Sequence, residues 1–255
     1  MSRGPQAGRP PGGEAAAGAL ADRVVWHDVE HGGYDADLPL WRELAEAEGG
    51  PVLDLGAGTG RVAVDLAAKG HQVVALDQDP ELLSDLVGRA PTVKTVTADA
   101  RHFDLDATFP LVIAPMQLAQ ILGGREGRLA MLERVHSHLT EGGLFAAALA
   151  RPLDAVPEGA ASPPLPDMLE RDGWVFSSQP VAVEERNGHV VVTRRRQAVS
   201  PGGELEEDTV EIALDVVGID EFEGELRSAG FRALERRDVP ETDDHIGSLV
   251  VTCRR

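Results

Sequence analysis

Cysteine is almost missing from this chain. Cys253 stands alone among 255 residues, which excludes an intrachain disulfide and a cysteine-rich zinc site and fits a reducing cytoplasm. Lysine is nearly absent too, with only Lys69 and Lys94, and basic residues are outnumbered by acidic ones 24 to 43, for a formal charge of −19. Such an excess opposes phosphate backbones, so binding to DNA or RNA without a partner is not expected. No apolar run approaches the ~20 residues that span a bilayer, and the opening residues hold no secretory apolar core. The expectation is a cytoplasmic protein with no membrane or nucleic-acid partner and no metal. Residues 1–22 are rich in Gly, Pro and Ala and read as a disordered tail.

Against that background one segment carries specific chemistry. Residues 52–61 read Val-Leu-Asp-Leu-Gly-Ala-Gly-Thr-Gly-Arg, an apolar strand running into alternate glycines and then into the amphipathic stretch Val62–Lys69. Gly56, Gly58 and Gly60 let the main chain turn and approach a ligand more closely than any Cβ allows, while the following helix aims free N–H groups at the same place. A dinucleotide fingerprint would require a third small residue three positions after Gly58, and Arg61 stands there. The next apolar run, His71–Leu76, ends in Asp77-Gln78-Asp79-Pro80, about 20 residues after the glycines, where one carboxylate can accept both vicinal hydroxyls of a ribose. Pro80 opens a helix capped by Asp79, with Leu82, Leu83, Leu86 and Val87 as its buried stripe. A third strand, Thr92–Thr97, ends at Ala98-Asp99-Ala100-Arg101, and a fourth, Leu111–Ala114, ends at Pro115-Met116-Gln117.

Together these motifs resemble the class I S-adenosylmethionine-dependent methyltransferases over residues 36–150. Asp54 and the glycines are similar to the family's motif I, Asp99 to the acceptor of the adenine amino group, and Glu141-Gly142-Gly143-Leu144-Phe145 to the entry of its fifth strand. The resemblance implies S-adenosylmethionine as cofactor, held by Tyr34, Asp54, Gly56, Ala57, Gly58, Gly60, Arg61, Asp77, Gln78, Asp99, Ala100, Met116 and Gln117. It also implies a seven-stranded Rossmann-like α/β sheet, doubly wound, with a reversed C-terminal hairpin. The tetrad Asn/Asp-Pro-Pro-Tyr of enzymes that methylate nucleobase amines is absent, since the fourth strand ends Ala-Pro-Met-Gln. A small-molecule acceptor with an O, N or C nucleophile is therefore expected. Two other readings stand beside it: a non-catalytic binder of the cofactor or its demethylated product, and an NAD-binding oxidoreductase, which Arg61 and the closing hairpin oppose.

The remainder of the chain supplies a cap. Residues 151–168 carry five prolines and no helical period, and read as a long crossover. Three alternating runs follow, Trp174–Arg186, His189–Val199 and Glu204–Leu214. They are joined by Asn187-Gly188, a hairpin signal, and by the loop 200–203. That loop length sets Arg196 opposite Glu207 and Arg195 opposite Asp208, so the charged runs read as a solvated, self-compensating face. A helix over Ile219–Ala229 and a hairpin of Phe231–Val239 with Ile246–Arg254 complete a single domain, 23–255, in which 151–216 is an antiparallel β-meander inserted as a cap over the cofactor's methyl group. His31 and His27, in the segment before the first helix, are candidate bases, and Gln117 and Gln120 candidate neighbours of the methyl group. His136 and His138 sit two apart on one helix and point to different sides; Asp243-Asp244-His245 reads as a turn.

Overall fold

The computed structural model describes residues 16–150, 165–242 and 247–255. A helical turn, α1 (Ala16–Ala19), precedes α2 (Arg23–His27), a π-helical turn (Asp28–Gly32) and α3 (Leu38–Glu48). Strands and helices then alternate as β1 (Val52–Leu55), α4 (Arg61–Ala68), β2 (Val73–Asp77), α5 (Pro80–Arg89), β3 (Lys94–Thr97), β4 (Phe109–Ala114), α6 (Gly124–His138) and β5 (Leu139–Ala150). Four antiparallel strands follow: β6 (Asp167–Arg171), β7 (Trp174–Arg186), β8 (His189–Val199) and β9 (Leu205–Asp215). The chain closes with α7 (Ile219–Ser228), β10 (Arg232–Val239) and β11 (Ser248–Arg254).

The main sheet has the order β10-β11-β5-β4-β1-β2-β3. Strands β1 to β5 are parallel, and β11 is antiparallel to both β5 and β10. The strand order reverses beside β1, which lies between β4 and β2, and such a switch leaves a crevice at the carboxyl ends of the strands. Alternation along β1 builds both cores. Val52 packs under α3, α4 and α5, while Leu53 and Leu55 pack under α6 and α7, so Asp54 falls on the face of Val52 and toward α3 and α4. Helix α5 begins as expected, with Asp79 Oδ1 accepting from the Glu81 N–H at 2.9 Å. Its stripe is narrower than expected: Leu82, Leu83 and Leu86 are buried, but Val87 is 41 % exposed. No described helix is long and apolar enough to cross a membrane.

Ordered structure begins before residue 22. Asp22 accepts from the Val25 N–H at 3.0 Å and caps α2, and Trp26 Nε1 donates to the Ala19 carbonyl at 3.2 Å, which ties α1 down. Residues 1–15 of the expected tail, and Asp243-Asp244-His245, lie outside the described residues.

The meander forms a second sheet in the order β6-β7-β8-β9. Its Asn187-Gly188 turn is as expected: both residues have positive φ, and Arg186 faces His189 across it. Two features differ from the sequence reading. A fourth strand, β6, arises at the end of the crossover. The β8–β9 loop is also one residue longer, because Ser200 N–H donates to the Glu204 carbonyl at 2.9 Å and Ser200 Oγ accepts from the Glu204 N–H at 3.1 Å. Glu204 is thus used by the turn, and the ladder starts at Val199 opposite Leu205, which puts Arg196 opposite Asp208 and Gln197 opposite Glu207. The arginines are not compensated by β9. Arg196 donates to both oxygens of Glu30 at 2.8 Å, and Arg194 pairs with Asp167.

Both ends of the insertion meet on one side chain. Gln120, in a 3-10 turn after β4 (Leu118–Gln120), accepts from the Ala150 N–H at 2.7 Å and donates to the Asp215 carbonyl at 3.5 Å. Nearby, Arg128 of α6 donates to both oxygens of Glu225 on α7 at 2.8 Å and reaches Asp215 at 3.4 Å. All three are almost wholly buried. Removing the guanidinium leaves carboxylates without a cation in a dry site, and Arg128→Met is expected to cost about 3–5 kcal/mol. Urea unfolding measures this, and a cost below ~1 kcal/mol would contradict a buried pair of this kind.

Candidate active site

A cleft of about 380 Å³ opens at the carboxyl ends of β1 to β4, within the size range of small-ligand sites. Its floor is the glycine loop. Gly58 (φ +56°) and Gly60 (φ +91°) adopt left-handed conformations, and a Cβ on Gly60 would lie 2.6 Å from Leu86 Cγ. The Gly58 N–H donates to Asp77 Oδ2 at 2.8 Å and the Asp79 N–H to Asp77 Oδ1 at 2.9 Å, so the carboxylate at the end of β2 fixes the loop while keeping lone pairs for a ligand. Arg61 opens α4 and turns back, donating to both oxygens of Asp37 at 2.5 and 2.8 Å and to the Tyr34 carbonyl at 2.8 Å.

Asp54 is the least comfortable group in the cleft wall. It is 1 % exposed, and its Oδ1 has no hydrogen-bond partner among the described residues. Burial raises its pKa to about 7, outweighing the attraction of Arg61. A buried acceptor facing a cleft without a donor matches a ligand that brings one. With Asp77 beside it and helix N–H groups below, the donor and acceptor set fits a nucleoside carrying a cationic tail.

Among the residues predicted from sequence, Asp54, Gly56, Ala57, Arg61, Asp77, Gln78, Asp99, Ala100, Met116, Gln117 and His31 line the cleft. Gly58 and Gly60, also predicted, shape the loop without lining the cleft, and three further placements differ from what the sequence suggested. Tyr34 is buried beneath Arg61, its ring centre 5.1 Å from the guanidinium carbon, and it is not a cleft wall. Asp99 is engaged by the Arg101 guanidinium and backbone N–H at 2.6–3.1 Å, which pushes its pKa down to about 2. Gln120 staples the insertion and does not reach the cleft. His31 does line it, but burial drives its imidazole to about 4, so it takes up little proton near neutrality and is poorly matched to general-base work. Met116 is a non-glycine residue with φ +58°, a conformation that costs energy and concentrates at ligand-binding sites.

Sequence reasoning expected the meander as a cap but named none of the residues that roof the cleft. Ile212 and Leu214 of β9 reach over the cleft, as does Arg23 of α2. Their period-two apolar spacing was visible, but not which face would meet the main sheet. The roof is anchored by acids of the π-helical turn. Asp28 pairs with Arg89 of α5 and Arg171 of β6, each at 2.5 Å, and Glu30 with Arg196 and Ser178 of the meander. His136 and His138 separate as expected: the first stacks edge-on against Phe231, the second is buried against Phe103.

Residues 52–143 match the family described as the methyltransferase domain. That stretch is similar to a methyltransferase domain, and the chain as a whole has the class I methyltransferase fold. Its fold is shared with an amino pentose methyltransferase from Micromonospora echinaspora, solved with S-adenosylmethionine bound (19 % identity, 96 % of this chain and 99 % of that one, TM-score 0.70). A sugar N-methyltransferase from Streptoalloteichus is similar over 100 % of this chain and 99 % of its own (15 % identity, TM-score 0.72). Among curated proteins, a ribosomal RNA small subunit methyltransferase A from Anaeromyxobacter dehalogenans is 34 % identical over 105 residues, and a cypemycin N-terminal methyltransferase from Streptomyces 34 % over 98. These matches take in 41 % and 38 % of this chain, and only 35 % and 40 % of the relatives' own lengths.

The strain at Asp54 is measurable. Because its folded pKa lies above the ordinary carboxyl value, the folded state binds the extra proton between about pH 4 and 7, and stability falls as pH rises through that window. Asp54→Asn is expected to melt above wild type at pH 8 and to converge with it toward pH 4 in thermal unfolding of the ligand-free protein. Parallel melting curves at all pH values would contradict the assignment.

Proposed function

We propose that this protein transfers a methyl group from S-adenosylmethionine to an amine of a small molecule, with amino sugars as the favoured class. The observation that carries the cofactor reading is the convergence of the glycine loop, Asp77 and the partnerless Asp54 oxygen on one roofed cleft. The amine is favoured by likeness to proteins whose names state sugar N-methylation, amino pentose methylation or cypemycin N-terminal methylation. The charge of −19 favours a small acceptor over nucleic acid. We place the protein in the cytoplasm and read residues 151–216 as a cap inserted in the methyltransferase domain.

When bound, the sulfonium cofactor supplies an already activated methyl group. The chain's own work is then to hold and to exclude. Asp77 accepts from ribose hydroxyls, and Asp54 accepts from the amino-acid ammonium, which removes its uncompensated burial. Arg61, braced by Asp37, keeps the start of α4 and the preceding loop in register. Met116 and Gln117 border the reacting end, and Ile212 and Leu214 shield it from water. Alignment of nucleophile and methyl group can supply ~7–11 kcal/mol of the barrier reduction without a strong base.

Calorimetric titration is expected to show micromolar binding of S-adenosylmethionine and S-adenosylhomocysteine and none of NAD. Asp77→Ala should weaken both by about 10- to 100-fold, from hydrogen bonds to a charged acceptor. Incubation with a panel of amino sugars, followed by mass spectrometry, should show addition of one methyl group. Tight cofactor binding without transfer to any amine would favour a non-catalytic binder, and unchanged affinity in the Asp77 variant would overturn the cofactor site.

A further inference from the structure

His27 stands directly on the glycine loop, in an arrangement that determines which of its nitrogens carries the proton. Its Nδ1 lies 3.1 Å from Thr59 Oγ1, and that hydroxyl donates to Asp28 Oδ1 at 2.8 Å. Asp28 is a carboxylate: burial would raise its pKa, but hydrogen bonds from Arg89, Arg171 and Thr59 outweigh this and hold it below the usual range. A carboxylate only accepts, and a threonine hydroxyl has one proton. With that proton committed to Asp28, Thr59 Oγ1 must accept from His27 Nδ1–H. The other nitrogen, Nε2, is left as a bare acceptor.

That acceptor lies against the glycine loop. A Cβ built on Gly58 would fall 2.2 Å from His27 Nε2 and 2.3 Å from Cε1, so the imidazole edge rests against the loop at its closest point. His27 also lines the cleft, beside Asp77, which takes the Gly58 N–H. Burial keeps the ring below the ordinary imidazole pKa against the opposing pull of Asp28, Asp77 and Glu30, with Arg89 and the adjacent His31 also in its surroundings. It is neutral near pH 7.

We propose that His27 Nε2 accepts a hydrogen bond from an O–H or N–H donor of the adenosyl ligand, either a ribose hydroxyl or the amino-acid ammonium. This assignment rests on the cofactor reading above. It makes the Asp28–Thr59–His27 chain a device that presents an acceptor, and only an acceptor, above the loop.

The test is calorimetric titration of wild type, His27→Leu and His27→Gln with S-adenosylhomocysteine and with 5′-methylthioadenosine, which keeps the ribose and lacks the amino acid. His27→Leu is expected to bind about 3- to 10-fold more weakly, the loss of one neutral hydrogen bond, while the glutamine amide oxygen restores affinity to within about twofold. A loss seen with both ligands identifies the ribose as donor; a loss confined to S-adenosylhomocysteine identifies the ammonium. Nitrogen NMR of the free protein should find Nδ1 protonated and Nε2 bare. Equal binding by the leucine variant, failure of glutamine to rescue, or the opposite tautomer each overturns the assignment. If wild type binds neither ligand, the cofactor reading itself falls, an outcome distinct from wild type and His27→Leu binding equally well.

Discussion

The two-pronged contact between Arg61 and Asp37 joins the cofactor loop to the segment in front of it. Arg61 is the first residue of the helix that the glycines launch, and Asp37 sits just before α3, where it also accepts from Trp41 Nε1 at 2.8 Å. The pair is nearly inaccessible, with side-chain exposures of 8 % and 2 %. Buried pairs of this sort contribute little net stability once desolvation is counted, but they admit one geometry. Here that geometry places the Tyr34 carbonyl and the whole N-terminal strap over the carboxyl ends of the strands. The residue that breaks the dinucleotide fingerprint is therefore one that ties the glycine loop to the segment before α3.

The strap continues the same logic in both directions. Asp28 grips the main domain through Arg89 and the meander through Arg171; two residues on, Glu30 grips the meander again through Ser178 and Arg196. Trp26 reinforces this with an edge-on contact to Phe176 and the Arg196 guanidinium over its ring. A short helical segment with alternating apolar and acidic contacts thus connects α5 of the main domain to β6, β7 and β8 of the meander. Roofing the cleft this way uses the charges of Asp28 and Glu30 in the anchor, and neither of them lines the cleft.

The main sheet was legible because each of its devices is local. Period-two apolar runs, glycines requiring left-handed backbone, Asp79 before Pro80 and Asn187-Gly188 act within a few residues and leave signatures in order. What escaped depended on long-range competition for polar groups. Glu204 entered the turn instead of the ladder, which displaced the β8–β9 register by one. Arg194 and Arg196 found partners more than a hundred residues away or on β6, a strand hidden at the end of a proline-rich stretch. In the cleft, the loop and strand-end carboxylates were readable from spacing. The positions of Tyr34 and His27 were not, since they depend on the contacts with Arg61 and Thr59.

Gln120 has a consequence for how such a protein can change. By bonding the last residue of β5 and the last residue of β9, one amide gathers the exit and re-entry of the meander at a single point beside the main sheet. Everything between those residues leaves from and returns to the same doorway, so the sheet is indifferent to the length and shape of what hangs outside. Loop-closure entropy grows only slowly with length, and a cap of another size attached at this doorway would leave strand order and floor untouched. The sheet and the segment that hangs from it are in this sense separately heritable: one can be exchanged as a module while the other stays in place.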